Sequence, residues 1–365
     1  MSALTKLYRG ETRMDFIGTR RWWYLASGIF VLICILSFVF RGFQYGVEFK
    51  GGSTFQIPTS GTSISTGDAN TAFTNAGAPP QEAPQSVGSG GSRQIVVNTK
   101  TLNPARQKQV QDDVAKALGV KSEKISPNTI SSRWGHDTTV SALQGLVIFL
   151  IAVSIYIALR FQWRMAVGGM LALFHDLIVA AGVYSLVGFE VTPSTIVGLL
   201  TILGFSLYDT VVVYDKVAEN SKDILAGSRT TFSEAANVAV NQTLMRSINT
   251  SLIALLPVAG LLFVGAGILG VGTIKDLALI LFVGLASGAY SSLFLATPIV
   301  VDLTERAPEY QALTKRVVAK RSSEARRAVE AELAGAGATA ARRTGGPAPA
   351  PKVGARPQRR RRGGS

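Results

Sequence analysis

Pro193 to Lys216 reads PSTIVGLLTILGFSLYDTVVVYDK, a run of membrane-crossing length with an aspartate inside it. About 20 apolar residues span a hydrocarbon core of about 30 Å, and between Thr195 and Tyr214 the one formal charge is Asp209. Asp215 and Lys216 mark the water boundary. At a helical rise of about 1.5 Å per residue, Asp209 lies about 9 Å inside it. Insertion scales charge about 2.5 to 3.5 kcal/mol for a central Asp, so such a group faces a protein interior or a water pathway, where it is paired or protonated. Two roles remain open: a functional ionisable group, or a structural Asp bonded to neighbouring helices. Ser206, Tyr208 and Thr210 supply hydroxyls on either.

The rest of the composition agrees with a membrane solvent. Apolar residues make up 47% of the chain and charged residues 16%, against roughly 25% charged in soluble domains. Five further apolar runs, Trp22 to Phe40, Val140 to Leu159, Met165 to Val187, Ser247 to Leu269 and Ile274 to Val301, predict a polytopic α-helical membrane protein with six transmembrane helices. Trp22, Trp23 and Tyr24 form an aromatic belt at the first entry. That run follows 21 polar and basic residues and has the length of a true span, so it reads as a retained helix and not a cleaved signal. Cys34 is the single cysteine, which excludes an intrachain disulfide.

Charge distribution sets the orientation. Arg160 and Arg164 flank the connection after the second span, and Lys216, Lys222, Arg229 and Arg246 lie between the fourth and fifth, whereas 188–192 holds only Glu190. By the positive-inside rule both termini are cytoplasmic. The predicted divisions are a cytoplasmic segment 1–21, a first span 22–40, an extracytoplasmic domain 41–138, spans two to six over 139–301 with a cytoplasmic loop at about 215–246, and a basic, largely disordered tail 302–365. Fifteen of the 37 Lys and Arg residues fall in that tail. The net charge of +14 is therefore no folded nucleic-acid face; anionic lipid is the expected contact of the tail, with ribosomal RNA as the rival.

The outer segment patterns as a small α+β domain. Strands are expected at 53–57, 93–99 and 124–131, the last interrupted by Pro127, and helices at 67–75 and 104–118, the second opened by Asn103 and Pro104. The order β, α, β, α, β suggests a ferredoxin-like module, with 79–91 as a flexible loop across it. Thr231 and Glu234 have capping-box spacing before an apolar-striped segment to Met245. It reads as a helix along the cytoplasmic interface or as an extension of the fifth span.

Asp176, beside His175, is a second intramembrane carboxylate, about 16 Å past Met165. Arg246 opens the fifth span at a depth that can match Asp209. With the arginine close, Asp209 stays ionised; with it withdrawn in a low dielectric, the carboxyl takes a proton. A helix shift that makes and breaks the pair can thus be driven by a proton gradient. Ser247, Asn249, Thr250 and Ser251 can hydrate or bridge the site, and His175 is either a relay to Asp176 or a packing residue. With two histidines, His136 and His175, in separate regions, no metal is expected. No phosphate-binding GxxxxGK[ST] occurs, and the GxGxxG of Gly265, Gly267 and Gly270 follows no strand, so no cofactor is expected. Gly284 and Gly288 spell a GxxxG that permits close helix packing.

Three stretches resemble a known family. GVEFKGG, Gly46 to Gly52, is similar to the Gly-x-Asp-Phe-x-Gly-Gly signature of the SecD/SecF protein-export family, with Gly46, Glu48, Phe49, Gly51 and Gly52 as its positions; GFSLYDTVVVYDKVAEN, Gly204 to Asn220 and including Asp215, and NQTLMRSINTSL, Asn241 to Leu252, resemble its fourth-span and fifth-span segments on the SecF side. Glu48 stands where that family has Asp, and Tyr208 where it commonly has Asn. The resemblance covers roughly residues 15 to 305. It implies a non-enzymatic member of the resistance-nodulation-division superfamily in the cell membrane, with Asp209 and Arg246 as the proton-coupling pair and Asp176, His175, Ser206, Asn249 and Thr250 as a proton pathway. It also implies that the chain works with SecD, using the proton motive force to help draw preproteins from the SecYEG channel after SecA has started them, with YajC and YidC as further partners. Two alternatives are a half of a small-molecule or lipid exporter of that superfamily, and an intramembrane aspartyl protease built on Asp176 and Asp209.

Overall fold

The computed structural model describes residues 14–59, 64–88, 93–130, 132–268 and 272–344. Helix α1 (Arg20–Phe40) leads into a short strand β1 (Gln44–Tyr45) and a one-turn helix α2 (Val47–Lys50). The outer module follows as β2 (Gly52–Pro58), α3 (Thr66–Asn75), β3 (Gln85–Val87), β4 (Gln94–Thr99), α4 (Pro104–Leu118) and β5 (Ser126–Ile130). The chain then enters α5 (Ser132–Arg160), α6 (Trp163–Val187), strand β6 (Glu190–Val191), α7 (Pro193–Asn220) and α8 (Phe232–Ala259). A wide-turn segment, Gly260–Ile268, continues α8; α9 (Gly272–Ser291) passes through a second wide turn, Ser292–Ala296, into α10 (Thr297–Glu305), and α11 (Pro308–Thr344) closes the described chain.

Six of these helical stretches are long and apolar enough to cross a membrane: Arg20–Phe40, Gly135–Arg160, Trp163–Val187, Pro193–Ala226, Phe232–Gly265 and Lys275–Glu305. The fold is that of a multi-pass helical membrane protein. Glycines set how closely two of its spans pack. A side chain at Gly198 or Gly284 would overlap Ile280 or Ile202, and one at Gly288 would press on Ser206, so the GxxxG of α9 is the face that α7 packs against.

In the outer module the sheet order is β3-β4-β2-β5, every neighbouring pair antiparallel. Its core packs Phe55, Ile57, Ile95 and Val97 of the sheet against Phe73, Val110 and Val114 of the helices. Helix α4 starts where Asn103 accepts from Arg106 N–H, with Pro104 at the first position. Pro127 fits β5 because β5, paired among the described residues with β2 alone, is an edge strand, where proline is tolerated.

Three stretches differ from expectation. Within 79–91, Gln85–Val87 forms β3 against β4, held also by Arg93 Nε donating to Ser86 Oγ at 2.9 Å; three largely polar edge residues leave no alternating signal. The connection between the fourth and fifth spans is shorter than 215–246. Lys216 pairs with Glu219 at 2.9 Å inside α7, and Thr231 and Glu234 cap each other's backbone N–H at 3.2 and 3.0 Å, so α8 is the extension of the fifth span. The stretch after residue 302, expected to be largely disordered, is helical in α10 to Glu305 and again in α11 to Thr344, as its Ala, Glu and Lys content favours. Arg321 anchors it to Glu234 at 2.6 Å, and Tyr310 meets Phe232 edge to face with ring centroids 5.3 Å apart. Residues 1–13 and the low-complexity stretch 345–365 lie outside the described residues.

Two carboxylates clasped by serines within the bundle

Helix α7 carries Asp209 and α6 carries Asp176, and both side chains are buried, at 8% and 0% exposure. Neither carboxylate is bare. Asp176 Oδ1 accepts from Ser287 Oγ at 2.7 Å and faces His175 Nδ1 at 3.2 Å; its Oδ2 accepts from Ser206 Oγ at 2.5 Å and Ser291 Oγ at 2.7 Å. Asp209 Oδ1 accepts from Ser247 Oγ at 2.8 Å and its Oδ2 from Ser292 Oγ at 2.6 Å. These short hydroxyl bonds satisfy carboxyl oxygens that an apolar slab would otherwise leave without partners.

The consecutive residues Ser291 and Ser292 therefore serve two different acids on two different helices. Ser206, one turn before Asp209 on α7, serves Asp176. A hydroxyl both donates and accepts, so this ladder can pass a proton as well as hold a charge.

Arg246 opens toward the same site without joining it. Its Nη2 donates to the Tyr208 hydroxyl at 3.1 Å, and among the described residues it makes no ion pair. Helices α7 and α8 thus meet at two adjacent positions, Ser247 on Asp209 and Arg246 on Tyr208. Above Asp209 lies an open groove of about 350 Å³ lined by Phe205, Tyr208, Thr250, Ile253, Leu285 and Gly288. Thr250 donates to Arg246 O at 3.0 Å, and it and Asn249 are exposed.

His175 lines a second cavity, of about 490 Å³, between α1, α6 and α9, with Ser27, Phe30 and Tyr290. Its Nε2 is buried with no hydrogen-bond partner among the described residues.

The signature residues have a mechanical place. Gly51 ends α2 at φ +73°, which favours glycine. At Gly52 a side chain would lie 2.7 Å from Thr99 O, and at Gly46 it would meet Glu48. Phe49 O packs against Gly135 of α5. The motif is a tight corner joining α1 to the sheet. Asp215 pairs with Arg160 at 2.7 Å on the exposed end of α7, and Asn241 pins the chain before α1, its Oδ1 accepting from Met14 N–H at 3.0 Å.

The serine clasp was only partly foreseeable. Asp176, Asp209, Ser206 and Ser247 stand out as polar groups in apolar runs, but Ser287, Ser291 and Ser292 do not. Their trace in the sequence is the spacing of hydroxyls at i, i+4 and i+5 in the sixth span.

These features define a class: a multi-pass helical membrane protein with an ionisable core and an α+β module inserted after its first span. The family model for the SecD/SecF protein export membrane protein C-terminal region matches residues 110–306, and that for the SecD/SecF GG motif matches residues 36–62. The protein translocase subunit SecF of Streptomyces coelicolor is 46% identical, over 90% of this chain and 87% of that protein. The SecF of Mycobacterium tuberculosis is 44% identical, over 88% and 74%. A crystal structure of SecDF, a translocon-associated membrane protein from Thermus thermophilus, superposes with a TM-score of 0.70 at 29% identity, over 81% of this chain and 39% of that one. The chain belongs to the SecF family of protein translocase subunits, and its role lies in protein export.

Proposed function

We propose that this chain is a non-catalytic subunit that couples proton movement through Asp209 to late steps of preprotein export, in partnership with SecD beside the SecYEG channel. The observation that carries this reading is a buried carboxylate at the floor of an open groove, held by two serine hydroxyls, with Arg246 parked on the neighbouring Tyr208. A swing of the guanidinium from Tyr208 to Asp209 pairs the acid, and its return leaves the acid to take a proton. Each charge crossing the field supplies about 2.3 kcal/mol per 100 mV. Asp176, His175, Ser206, Asn249 and Thr250 form the route to and from that acid.

The partner follows from an uncovered face. Phe205, Tyr208, Ile253 and Leu256 are 51 to 72% exposed on α7 and α8, beside the exposed Arg246. An arginine and a groove over an acid are costly against lipid, so a second six-span chain covers them, and in the Thermus relative the matched region is part of one longer SecDF chain. SecA, YajC and YidC complete the assembly on the family resemblance. The outer module, whose order β3-β4-β2-β5 is that of a split β-α-β pair, is of ferredoxin-like type. It lies outside the cell membrane, both termini lie in the cytoplasm, and the basic end of the chain meets anionic lipid.

Translocation of a preprotein into vesicles, with and without a proton gradient, tests the coupling. Asp209→Asn and Arg246→Met each abolish the gradient-dependent part while the complex with SecD still forms. Full gradient stimulation in either variant removes that residue from the mechanism.

A further inference from the structure

The outer module meets the helical bundle along a seam rich in carboxyl groups. Strands β1 and β6 pair in parallel, Gln44 beside Glu190 and Tyr45 beside Val191, and Gly46 N–H donates to Val191 O at 2.9 Å. The module reaches onto the same turn with two amides. Gln85 Nε2, on β3, and Asn98 Nδ2, on β4, both donate to Glu190 Oε1, at 2.9 and 3.5 Å. The rest of the junction runs through α1 and α2 at one end and α5 at the other, with Phe49 O against Gly135.

Glu82, just before β3, completes the seam. Its side chain is 19% exposed, its Oε2 is buried with no hydrogen-bond partner among the described residues, and its carboxyl neighbours that of Glu190, which Gln85, three residues on, also reaches. Two ionised carboxylates offer acceptors only, so a bond between them exists only when one of them holds a proton. The surrounding charges do not supply a substitute. Glu48 of α2 and Asp276 of α9 add negative charge near Glu190. Lys50 Nζ reaches Glu82 Oε1 at 3.9 Å, Lys275 Nζ sits over the Phe189 ring at 4.0 Å, and Arg41 donates to Leu186 O at 2.7 Å.

We propose that Glu82 and Glu190 share one proton drawn from the aqueous phase on the module's side, and that this shared proton clamps the outer module onto the membrane bundle. The orphaned Glu82 oxygen then has its donor, and the seam closes without mutual repulsion of its acids. Burial, then the bond to Glu82 and the nearby acids, hold the Glu190 carboxyl up to about 8 from an ordinary 4.5. A raised carboxyl in the clamped state means that clamping takes up a proton. The clamp is at full strength below about 4.5, weakens about tenfold per pH unit from there to about 8, and is level above that. Acid on the module's side closes it and alkali opens it. The clamp is a property of the module seam and does not rest on Asp209.

Distance measurement between two spin labels tests this in the full chain reconstituted with its partner. Cys34 is replaced by Ala, and labels go on Lys108→Cys of α4 and Val187→Cys at the end of α6. Pulsed dipolar spectroscopy is read from pH 6 to pH 9.5. The expected result is one short distance at pH 6, with a longer population that grows relative to it by up to about tenfold per unit and stops growing near pH 8. Glu190→Gln supplies a permanent amide donor to Glu82 and fixes the short distance at every pH; Glu82→Gln does the same from the module's side. The Asp209→Asn variant keeps the wild-type response. A distance distribution unchanged from pH 6 to pH 9.5 in the wild type overturns the clamp, as does a wild-type response in both Gln variants or its loss in Asp209→Asn.

Discussion

Ser291 and Ser292 are neighbours in the chain, yet one bonds Asp176 and the other Asp209. Successive residues of an α-helix point about 100° apart, enough to aim Ser291 at α6 and Ser292 at α7 where the wide turn begins. The two sites are thus held by one short piece of the sixth span without sharing a ligand. Replacing one donor to a buried charge leaves the acceptor short and costs about 1 to 3 kcal/mol. Ser291→Ala, which strips a donor from Asp176 on the proton route, is expected to lower the thermal midpoint of the detergent-solubilised protein and to lose a small part of gradient-driven export. Ser292→Ala is expected to lose a larger share of that export. Equal export defects in the two would show that the acids act as one unit.

The elements show which kinds of signal a sequence carries. Six apolar runs became six spanning stretches, because a hydrocarbon solvent demands length and apolarity and little else. Helix α4 was legible to its ends through Asn103 and Pro104. The pairing of β1 with β6 was not, since two residues from each of two distant stretches carry no periodicity. Asp209 and Asp176 stood out as charges among apolar residues, but nothing local says that Arg246 rests on Tyr208, for that depends on how α8 turns against α7. The serines were silent because a hydroxyl hardly lowers the apolarity of a run. The glycines of α9 tell a similar story: a GxxxG is common by chance, and only the packing shows that Gly284 faces Ile202. Gly284→Leu is expected to push α9 off α7 and destabilise the bundle by about 1 to 3 kcal/mol, read as a drop in unfolding midpoint, whereas Gly260→Leu, with open space around its Cβ direction, is expected to change it by far less. Equal effects would mean that the α7 to α9 contact is not set by that glycine.

At the scale of the molecule, the apolar cores do not merge. One cluster joins the spans at the end nearest α11 with Phe232, Tyr310 and Leu313; a second gathers Ala180, Tyr184, Ile202 and Ile280; a third lies wholly within the outer module. The module touches the bundle through polar groups and a two-residue strand pair, so its packing energy is its own. That separation lets the module move as a body on its two covalent links while the spans stay assembled. Phe73 is fully buried against Phe55, ring centroids 5.0 Å apart, and cutting it to alanine removes about 3 to 5 kcal/mol from that core. Phe73→Ala is therefore expected to lower one of two calorimetric transitions, that of the module, and to leave the helical transition and membrane insertion at their wild-type values. A single transition that falls as a whole would mean that the seam binds module and bundle into one cooperative unit, and a lever that is welded to its base does not turn.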